Sequence, residues 1–189
     1  MLLTMRRHIC ATLACRRTTR EWLQFLGAGF LCVLAVGLGF SPAVFAQMQQ
    51  IPAFELEKLD GTRFSSKSLN GQVVLVDFWA TWCKPCLEEI PHWNELHERY
   101  REKGLVVLGI TIQSGWASDI KPDVEKLKIK YPLVIGDQKV EKGFGGIWGF
   151  PTTFLIDRKG RIYKKYTGQQ PQKHAQIEAD IQKLLAEKP

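Results

Sequence analysis

Two cysteines separated by two residues are the part of this chain best suited to chemistry. Cys83 and Cys86 flank Lys84 and Pro85, and they follow the short apolar segment Val73–Trp79. That segment predicts a buried strand, and the helical spacing of apolar residues after Pro85 predicts a helix. Two thiols at the point where a strand ends and a helix begins are suited to reversible disulfide chemistry.

The start of the predicted helix is expected to activate Cys83. The first backbone N–H groups of a helix have no intrahelical acceptor and carry partial positive charge, which favours a thiolate over a thiol. A free cysteine has a pKa of about 8.5, whereas cysteines at helix N-termini in Cys-x-x-Cys motifs reach roughly 3.5–7.5. Lys84 adds a neighbouring cation, and Pro85 suits the first helical turn and stiffens the bridge between the thiols.

Three other uses of the cysteine pair can be weighed on the sequence. A structural zinc site needs four ligands, yet no cysteine follows Cys86, and His92 and His97 do not share a helix face. Covalent haem attachment requires histidine after the second cysteine, where Leu87 stands. A purely structural disulfide closing so short a loop would restrain the unfolded chain by only about 2 kcal/mol. A redox-active pair is therefore favoured, with no metal and no other cofactor expected.

The residues around the pair resemble a known family. Residues 78–86, FWATWCKPC, resemble the active-site segment of the thioredoxin superfamily, and Pro91 resembles its helix-kinking proline. Residues 149–157, GFPTTFLID, resemble the cis-proline strand of the exported TlpA/ResA-like branch. The resemblance covers roughly residues 51–185. It implies an α/β thioredoxin fold, in which a central mixed sheet is flanked by helices, with an N-terminal β-hairpin and a central helix-strand insertion.

The remaining elements can be predicted from local patterns. Two short alternating segments on either side of Asp60 and Gly61 predict the N-terminal hairpin. Residues 105–112 predict a strand parallel to Val73–Trp79, because a helix separates the two. Residues 118–130 predict an amphipathic helix with Pro122 at its start or in its first turn. The other predicted elements are a strand at 133–135, a hairpin of strands 154–156 and 162–166, and a last helix at 171–186.

The family resemblance also implies roles for four residues near the thiols. Cys83 would be the exposed nucleophile, and Cys86 would resolve the mixed disulfide that forms. Asp77 matches the buried acid that accepts a proton from the resolving thiol; the alternative is a satisfied strand acid at a sheet edge. Glu89 resembles a glutamate that ResA-like proteins keep near the thiols, although Glu88 and Glu89 would equally suit a solvated helix face.

Substrate binding is expected around Pro151. This residue carries over as the cis-proline that faces the disulfide, and Phe150 would present backbone groups to an extended client segment. Trp82 and Trp148 are expected to complete this docking surface, while ordinary packing is the alternative for Trp148 and Phe150. The surrounding pattern is similar to that of a cytochrome-maturation branch, but Thr152 stands where that branch has glutamate.

Residues 1–46 are predicted to be a signal peptide, and residues 47–189 a thioredoxin-like domain. An uncharged run at 22–40 follows several arginines, and small residues at Val44 and Ala46 fit an export cleavage site. The alternative is an uncleaved anchor, because a run of this length spans a bilayer. Either reading places the domain in the periplasm or on the extracytoplasmic face of the membrane.

Removing the leader changes the composition of the part that folds. The whole chain has 26 basic and 19 acidic residues; the leader takes five arginines and Glu21, which leaves 21 and 18. So small an excess, without a basic cluster among aromatics, argues against a nucleic-acid partner. Cys10, Cys15 and Cys32 lie in the leader, so the domain has one close thiol pair in an oxidising compartment.

These observations predict an exported protein disulfide reductase. Its expected partners are client proteins with disulfides, for example apocytochrome c before haem attachment, and a membrane thiol-transfer protein that returns electrons to it. Two alternatives stay open. One is an oxidant that installs disulfides, since potentials in the superfamily range widely. The other is a non-catalytic binding module that holds a partner beside Phe150 and Trp148.

Overall fold

The computed structural model of the protein describes residues 49–187, and the predicted leader, residues 1–46, lies outside them. Within this range seven strands form one sheet. The strands are β1 (Glu55–Lys58), β2 (Arg63–Ser65), β3 (Val73–Trp79), β4 (Leu105–Thr111), β5 (Leu133–Ile135), β6 (Thr152–Ile156) and β7 (Ile162–Thr167). The α-helices in this range are α1 (Lys84–Tyr100), α2 (Ala117–Leu127), α3 (Gln138–Gly143) and α4 (Lys173–Ala186). None of these helices has the length and apolar character that a membrane span requires.

The sheet is mixed, and the strand before the cysteines lies inside it. The strand order is β2-β1-β5-β4-β3-β6-β7. Strand β3 pairs in parallel with β4 and antiparallel with β6, so it has a neighbour on each side. All seven of its residues are buried. The predicted fold class, a central mixed sheet with flanking helices, is confirmed, as are both predicted hairpins, β1–β2 and β6–β7.

Alternation along β3 divides the core into two layers. Val73, Leu75 and Trp79 belong to one apolar cluster, which also contains Cys86 and buried residues of α1 and α4. Val74, Val76 and Phe78 belong to the other, which contains Phe144 and Phe154. Because side chains alternate along a strand, Asp77 shares the face of Val73, Leu75 and Trp79. The acid therefore lies on the side of the sheet that α1 and α4 cover.

Helix α1 begins where the sequence predicts. Cys83 is its N-cap, and Pro85 lies in its first turn. Pro91 lies inside the helix and is exposed. After α1 the chain makes a 3₁₀ turn, Arg101–Lys103, which ends at Gly104 with a φ of 98°. Glycine suits this left-handed position because it has no Cβ.

The structure differs from the sequence-based expectation at two places, Pro122 and a short additional helix. Pro122 is the sixth residue of α2, past the first turn in which it was expected. Its missing N–H removes one helical bond, to the carbonyl of Ser118, at an exposed position where water can replace it. Helix α3 was not predicted. Its signal is Asp137, whose side chain accepts a hydrogen bond from the N–H of Val140 at 2.7 Å and caps the short helix.

Candidate active site

The two cysteines form a disulfide at the junction of β3 and α1. Cys83 and Cys86 are joined by an S–S bond, with their Cα atoms 5.3 Å apart. The backbone N–H of Cys86 points at the Cys83 sulfur, with the nitrogen 3.3 Å from Sγ. This donor belongs to the first turn of α1, where N–H groups lack helical acceptors. In the reduced protein it would stabilise a thiolate on Cys83, as the sequence predicts.

The two sulfur-bearing residues differ less in exposure than expected. Cys83 is 5% exposed and Cys86 is fully buried. The prediction that Cys83 is an exposed nucleophile is therefore wrong for the disulfide form, because Cys83 belongs to the same apolar cluster as Trp79 and Ala80. Cys83 is nevertheless the more accessible of the pair. A client disulfide must therefore approach Cys83 closely from its solvent-facing side to reach the Cys83 sulfur.

Aromatic side chains lie beside the thiols at the cis-proline. The peptide bond between Phe150 and Pro151 is cis, and Pro151 is buried. The rings of Phe150 and Trp82 meet edge to face, with centroids 5.5 Å apart. Trp82 is 59% exposed, and its indole N–H donates to the carbonyl of Gln113 at 2.8 Å. Trp82, which directly precedes Cys83, and Phe150, which precedes the cis-proline, thus form a partly apolar surface.

Trp148 lies on the surface and not in the core. Its side chain is 90% exposed, so the alternative that it is an ordinary packing residue is wrong. The preceding Gly145 and Gly146 have φ values of 82° and 85°, which turn the chain outward. Phe150, by contrast, is half-buried and packs against both apolar clusters. Trp116, which the sequence did not single out, is also largely exposed, at 80%.

Asp77 is a buried acid in the middle of the sheet. It is 1% exposed, and its register partners are Gly109 on β4 and Thr153 on β6. The alternative of an acid at a sheet edge is therefore wrong. Burial raises the pKa of Asp77 to about 7, and the charge of Glu89 adds to this rise. Three groups act in the opposite direction: the ammonium of Lys173, the Thr153 hydroxyl, which donates to Asp77 Oδ1 at 3.0 Å, and the indole of Trp93.

Gly109 leaves room for aromatic side chains beside Asp77. A Cβ on Gly109 would lie 2.3 Å from the Leu133 side chain, 3.1 Å from the Tyr131 ring and 3.2 Å from the Trp79 indole nitrogen. Burial and the charges of Asp77 and Glu89 raise the pKa of Tyr131 well above its ordinary value. Tyr131 therefore stays neutral. Burial, more than any neighbouring charge, is the cause of the raised pKa of Asp77.

Glu89 lies in the interior as half of a buried ion pair. It is 2% exposed, and its two carboxylate oxygens lie 2.7 and 3.1 Å from Nζ of Lys173, which is 3% exposed. The alternative of a solvated helix face is wrong for Glu89. It holds only for Glu88, which is exposed and accepts a hydrogen bond from Gln169.

Two partly exposed histidines lie next to this buried ion pair. His174 Nε2 lies 3.4 Å from Oε1 of Glu89, and the ring of His174 stacks on that of His92 with centroids 4.3 Å apart. Burial lowers the pKa of His92, and the neighbouring His174 lowers it further. His92 is therefore neutral at pH 7. Neither the cluster nor its lysine is predicted from the sequence.

A signal for Lys173 was present in the last helix. Lys173 lies four residues before Ile177 and eight before Ile181, so it shares the apolar stripe of α4. A lysine on a stripe that faces the core is unusual unless it has a partner. Within residues 49–187, no group of three or more histidine, cysteine or acidic side chains is arranged to bind a metal ion.

Comparison with known proteins identifies the chain's relatives. Residues 48–165 match the AhpC/TSA family. The thiol-disulfide oxidoreductase ResA of Bacillus cereus is 32% identical over 156 residues, which cover 79% of this chain and 88% of that protein. The thioredoxin-like protein YneN of Bacillus subtilis is 30% identical over 173 residues, covering 86% of this chain and 98% of that protein.

Solved structures agree with these relatives. A thioredoxin-family thiol:disulfide interchange protein from Chlorobium tepidum matches with a TM-score of 0.67 and 29% identity, over 74% of this chain and 98% of that one. A putative thiol:disulfide interchange protein DsbE from the same organism matches with a TM-score of 0.68 and 26% identity, over 74% of this chain and 97% of that one. The predicted resemblance to the thioredoxin superfamily is confirmed.

Proposed function

Because the chain belongs to the AhpC/TSA family and is a thioredoxin-like thiol-disulfide oxidoreductase, we propose that it works as a dithiol reductant of client protein disulfides. The observation that carries the proposal is the buried Asp77, on the sheet face that packs against Cys86, with a pKa of about 7. An acid with this pKa can accept a proton at neutral pH and release it again.

In the first step the Cys83 thiolate attacks one sulfur of the client disulfide. The client S–S bond breaks, one client sulfur leaves as a thiolate, and the other forms a mixed disulfide with Cys83. The Cys86 N–H, which points at the Cys83 sulfur, favours the attacking thiolate. This step needs no proton acceptor for Cys86, so Asp77 has no part in it.

In the second step Cys86 resolves the mixed disulfide. Its thiol gives its proton to Asp77, and the resulting thiolate attacks the Cys83 sulfur. The bond to the client breaks, the second client sulfur leaves as a thiolate, and the disulfide between Cys83 and Cys86 forms. Two electrons have then passed to the client, and a dithiol donor must return two electrons to this protein.

The client is proposed to bind along the cis-proline. Backbone groups at Phe150 would pair with an extended client segment as an added strand does, while Trp82 and Trp148 offer exposed apolar surface for its side chains. Asymmetry between the thiols gives a means to identify the client. In Cys86→Ser the mixed disulfide on Cys83 should persist, whereas Cys83→Ser should trap nothing.

The location and the partners are proposed from the resemblance to ResA-like proteins and from the predicted leader. We place the domain in the periplasm or on the extracytoplasmic face, tethered through residues 22–40 if the leader is not cleaved. A membrane thiol-transfer protein would supply the electrons. Apocytochrome c is the proposed client class, on the strength of the resemblance to ResA-like proteins; Thr152, in place of glutamate, is a departure from one cytochrome-maturation branch.

The direction of electron flow is tested by the reduction potential. Equilibration with glutathione buffers, followed by tryptophan fluorescence, should give a value closer to thioredoxin's potential of about −270 mV than to the roughly −120 mV of a strong oxidase. A value near the oxidase would make the protein a disulfide-forming oxidant. A double Cys83→Ser/Cys86→Ser variant that retains full function in the cell would instead identify a non-catalytic binding module.

A further inference from the structure

Lys173 is a buried cation that the two-step mechanism does not use. It is 3% exposed, and its Nζ contacts both carboxylate oxygens of Glu89. The same ammonium lies 5.9 Å from the centre of the Trp93 ring. A charged group removed from water is unfavourable unless a partner compensates it. Each member of this pair therefore depends on the other.

Joining the helices does not explain the pair. Helices α1 and α4 are already held together by the apolar cluster that contains Trp93, Ile177 and Ile181. Replacing a buried ion pair with apolar residues of similar size is often neutral or stabilising. What distinguishes this pair is its position: it joins α1 to α4 on the side of the sheet that these helices cover and that carries Asp77, so the charges of both Glu89 and Lys173 act on Asp77.

We propose that Lys173 is a positioning residue for the resolving step: its ammonium holds the Glu89 carboxylate in place and sets the net charge that Asp77 faces. The proposal rests on the proposed function, since the resolving step is where Asp77 takes up a proton. Lys173 touches neither the client nor the reacting sulfurs in this account. It acts through Glu89 and through its own charge.

The other groups near Asp77 leave these two charges in control. On α1, His92 is neutral because burial lowers its pKa. Tyr131, before β5, is neutral because its pKa is raised well above the ordinary value. Thr153, on β6, contributes a hydroxyl and Trp93, on α1, an indole, and neither carries a charge. On α4, His174 approaches the oxygen of Glu89 that Lys173 already holds.

The opposite charges of Glu89 and Lys173 predict an order of titration midpoints for Asp77. Glu89 raises the pKa of Asp77 more than Lys173 lowers it. Removing the Lys173 ammonium alone should therefore raise the titration midpoint of Asp77. Removing the Glu89 carboxylate alone should give the lowest midpoint of the four proteins. From highest to lowest, the order should be Lys173→Met, wild type, Lys173→Met/Glu89→Gln and Glu89→Gln.

The titration is measured on the oxidised protein, where no thiol interferes. The carboxyl carbon of Asp77 is followed by ¹³C NMR against pH in the four proteins. Lys173→Met should shift the upper midpoint of the coupled acids upward by about one pH unit, and Lys173→Arg should restore it. Lys183→Met, which removes an exposed lysine of α4, is the matched control and should leave the midpoint unchanged.

The rates of the two thiol steps test whether the charge of Lys173 affects the reaction. If the midpoint rises from about 7 by one unit, the ionised fraction of Asp77 at pH 7 falls about fivefold, and resolution by Cys86 should slow by the same factor. Attack by Cys83 should keep its rate. Equal slowing of both steps, or a midpoint shift without slower resolution, would overturn the proposal while leaving the reductase function intact.

A second comparison keeps the proposal testable if Lys173→Met does not fold. In the Glu89→Gln background no carboxylate is left unpaired, and adding Lys173→Met removes only the ammonium. The midpoint of Asp77 should then rise between the single and the double variant. An unchanged midpoint in this pair would show that the charge of Lys173 does not reach Asp77, and would overturn the proposal. Failure of the proposed function would appear separately, as absence of thiol-disulfide exchange in the wild type.

Discussion

Helices α1 and α4 are joined by ion pairs at two places that differ in burial. Near the thiols, Glu89 of α1 meets Lys173 of α4, and both side chains are 2% exposed. Near the C-terminal end of α1, Arg99 contacts Glu178, which lies in the middle of α4, and the arginine side chain is 45% exposed. Arg99 also contacts Glu95 within α1. We call the buried Glu89–Lys173 pair the dry pair and the more exposed Arg99–Glu178 pair the wet pair.

The difference indicates what each pair is for. An exposed pair in water contributes about 0–1 kcal/mol, because solvent screens it and side-chain freedom is lost. A buried pair must first overcome the desolvation of both charges, so it seldom adds stability beyond what apolar residues would give. The wet pair therefore stabilises the contact between the two helices only modestly, near the C-terminal end of α1. The dry pair is best explained by its effect on Asp77.

The largest effect is expected when the dry pair is broken. Lys173→Ala leaves the buried Glu89 carboxylate without its ammonium partner and with the His174 imidazole at 3.4 Å, and the free energy of unfolding should fall by about 3–5 kcal/mol. Urea denaturation of the oxidised protein measures the loss. The matched variant Lys173→Met/Glu89→Leu removes both charges and should recover most of it. A single-variant loss below 1 kcal/mol would mean that the two pairs are equivalent.

The next largest effect is expected in the pH dependence of stability, and it comes from Asp77, which the dry pair acts on. The pKa of Asp77 is about 7 in the folded protein against an ordinary value of 3.8. Between these values the folded state binds more protons than the unfolded state, so stability should fall as pH rises from about 4 to 7, by up to about 4 kcal/mol. Asp77→Asn should remove this slope, as urea denaturation across that range would show. An equal slope in both proteins would contradict the assignment.

The wet pair should show the opposite sign. Hydrogen bonding by Tyr100, together with the nearby Arg99, lowers the pKa of Glu178. Its contribution is therefore present above the ordinary pKa of a glutamate and is lost as pH falls through the lower, folded value. Asp77 and the wet pair would thus respond to acid in opposite directions.

The smallest effect is expected when the wet pair is broken. Arg99→Ala should lower the free energy of unfolding by only about 0.2–1 kcal/mol, since Tyr100 still donates to Glu178 at 2.7 Å. Urea denaturation at low and high salt measures it, and the loss should shrink in high salt because ions screen exposed charges. A loss comparable to that of Lys173→Ala would show that exposure does not separate the two pairs.

The part of the site that lies close together in sequence could be predicted. Cys83, its helix N-terminus and Cys86 all fall within one strand-to-helix junction, so spacing and residue type suffice. The sheet, both hairpins and the parallel pairing of β3 with β4 also follow from local periodicity and the family resemblance. Asp77 was assigned correctly to a buried strand because the segment is apolar on both sides of it.

The charge cluster could not be assembled from sequence because its members are far apart in the chain. Lys173 lies 84 residues after Glu89, and only the fold brings α4 against α1. The pattern within each helix shows that Glu89 and Lys173 each lie on an apolar stripe. It does not show that the two charges pair with each other. Trp148 stood between a docking and a packing role for another reason: residue type alone does not distinguish a surface tryptophan from a core one.

The most direct test of the central claim separates the two chemical steps in Asp77→Asn. Stopped-flow fluorescence with a disulfide peptide follows attack by Cys83 and then resolution by Cys86. Resolution should slow by about a hundredfold or more, as expected for loss of a proton acceptor, while attack stays within about twofold of wild type. Glu88→Gln, an exposed acid of α1, is the control and should change neither rate. Equal slowing of both steps, or unchanged resolution, would contradict the role of Asp77 and with it this account of the site.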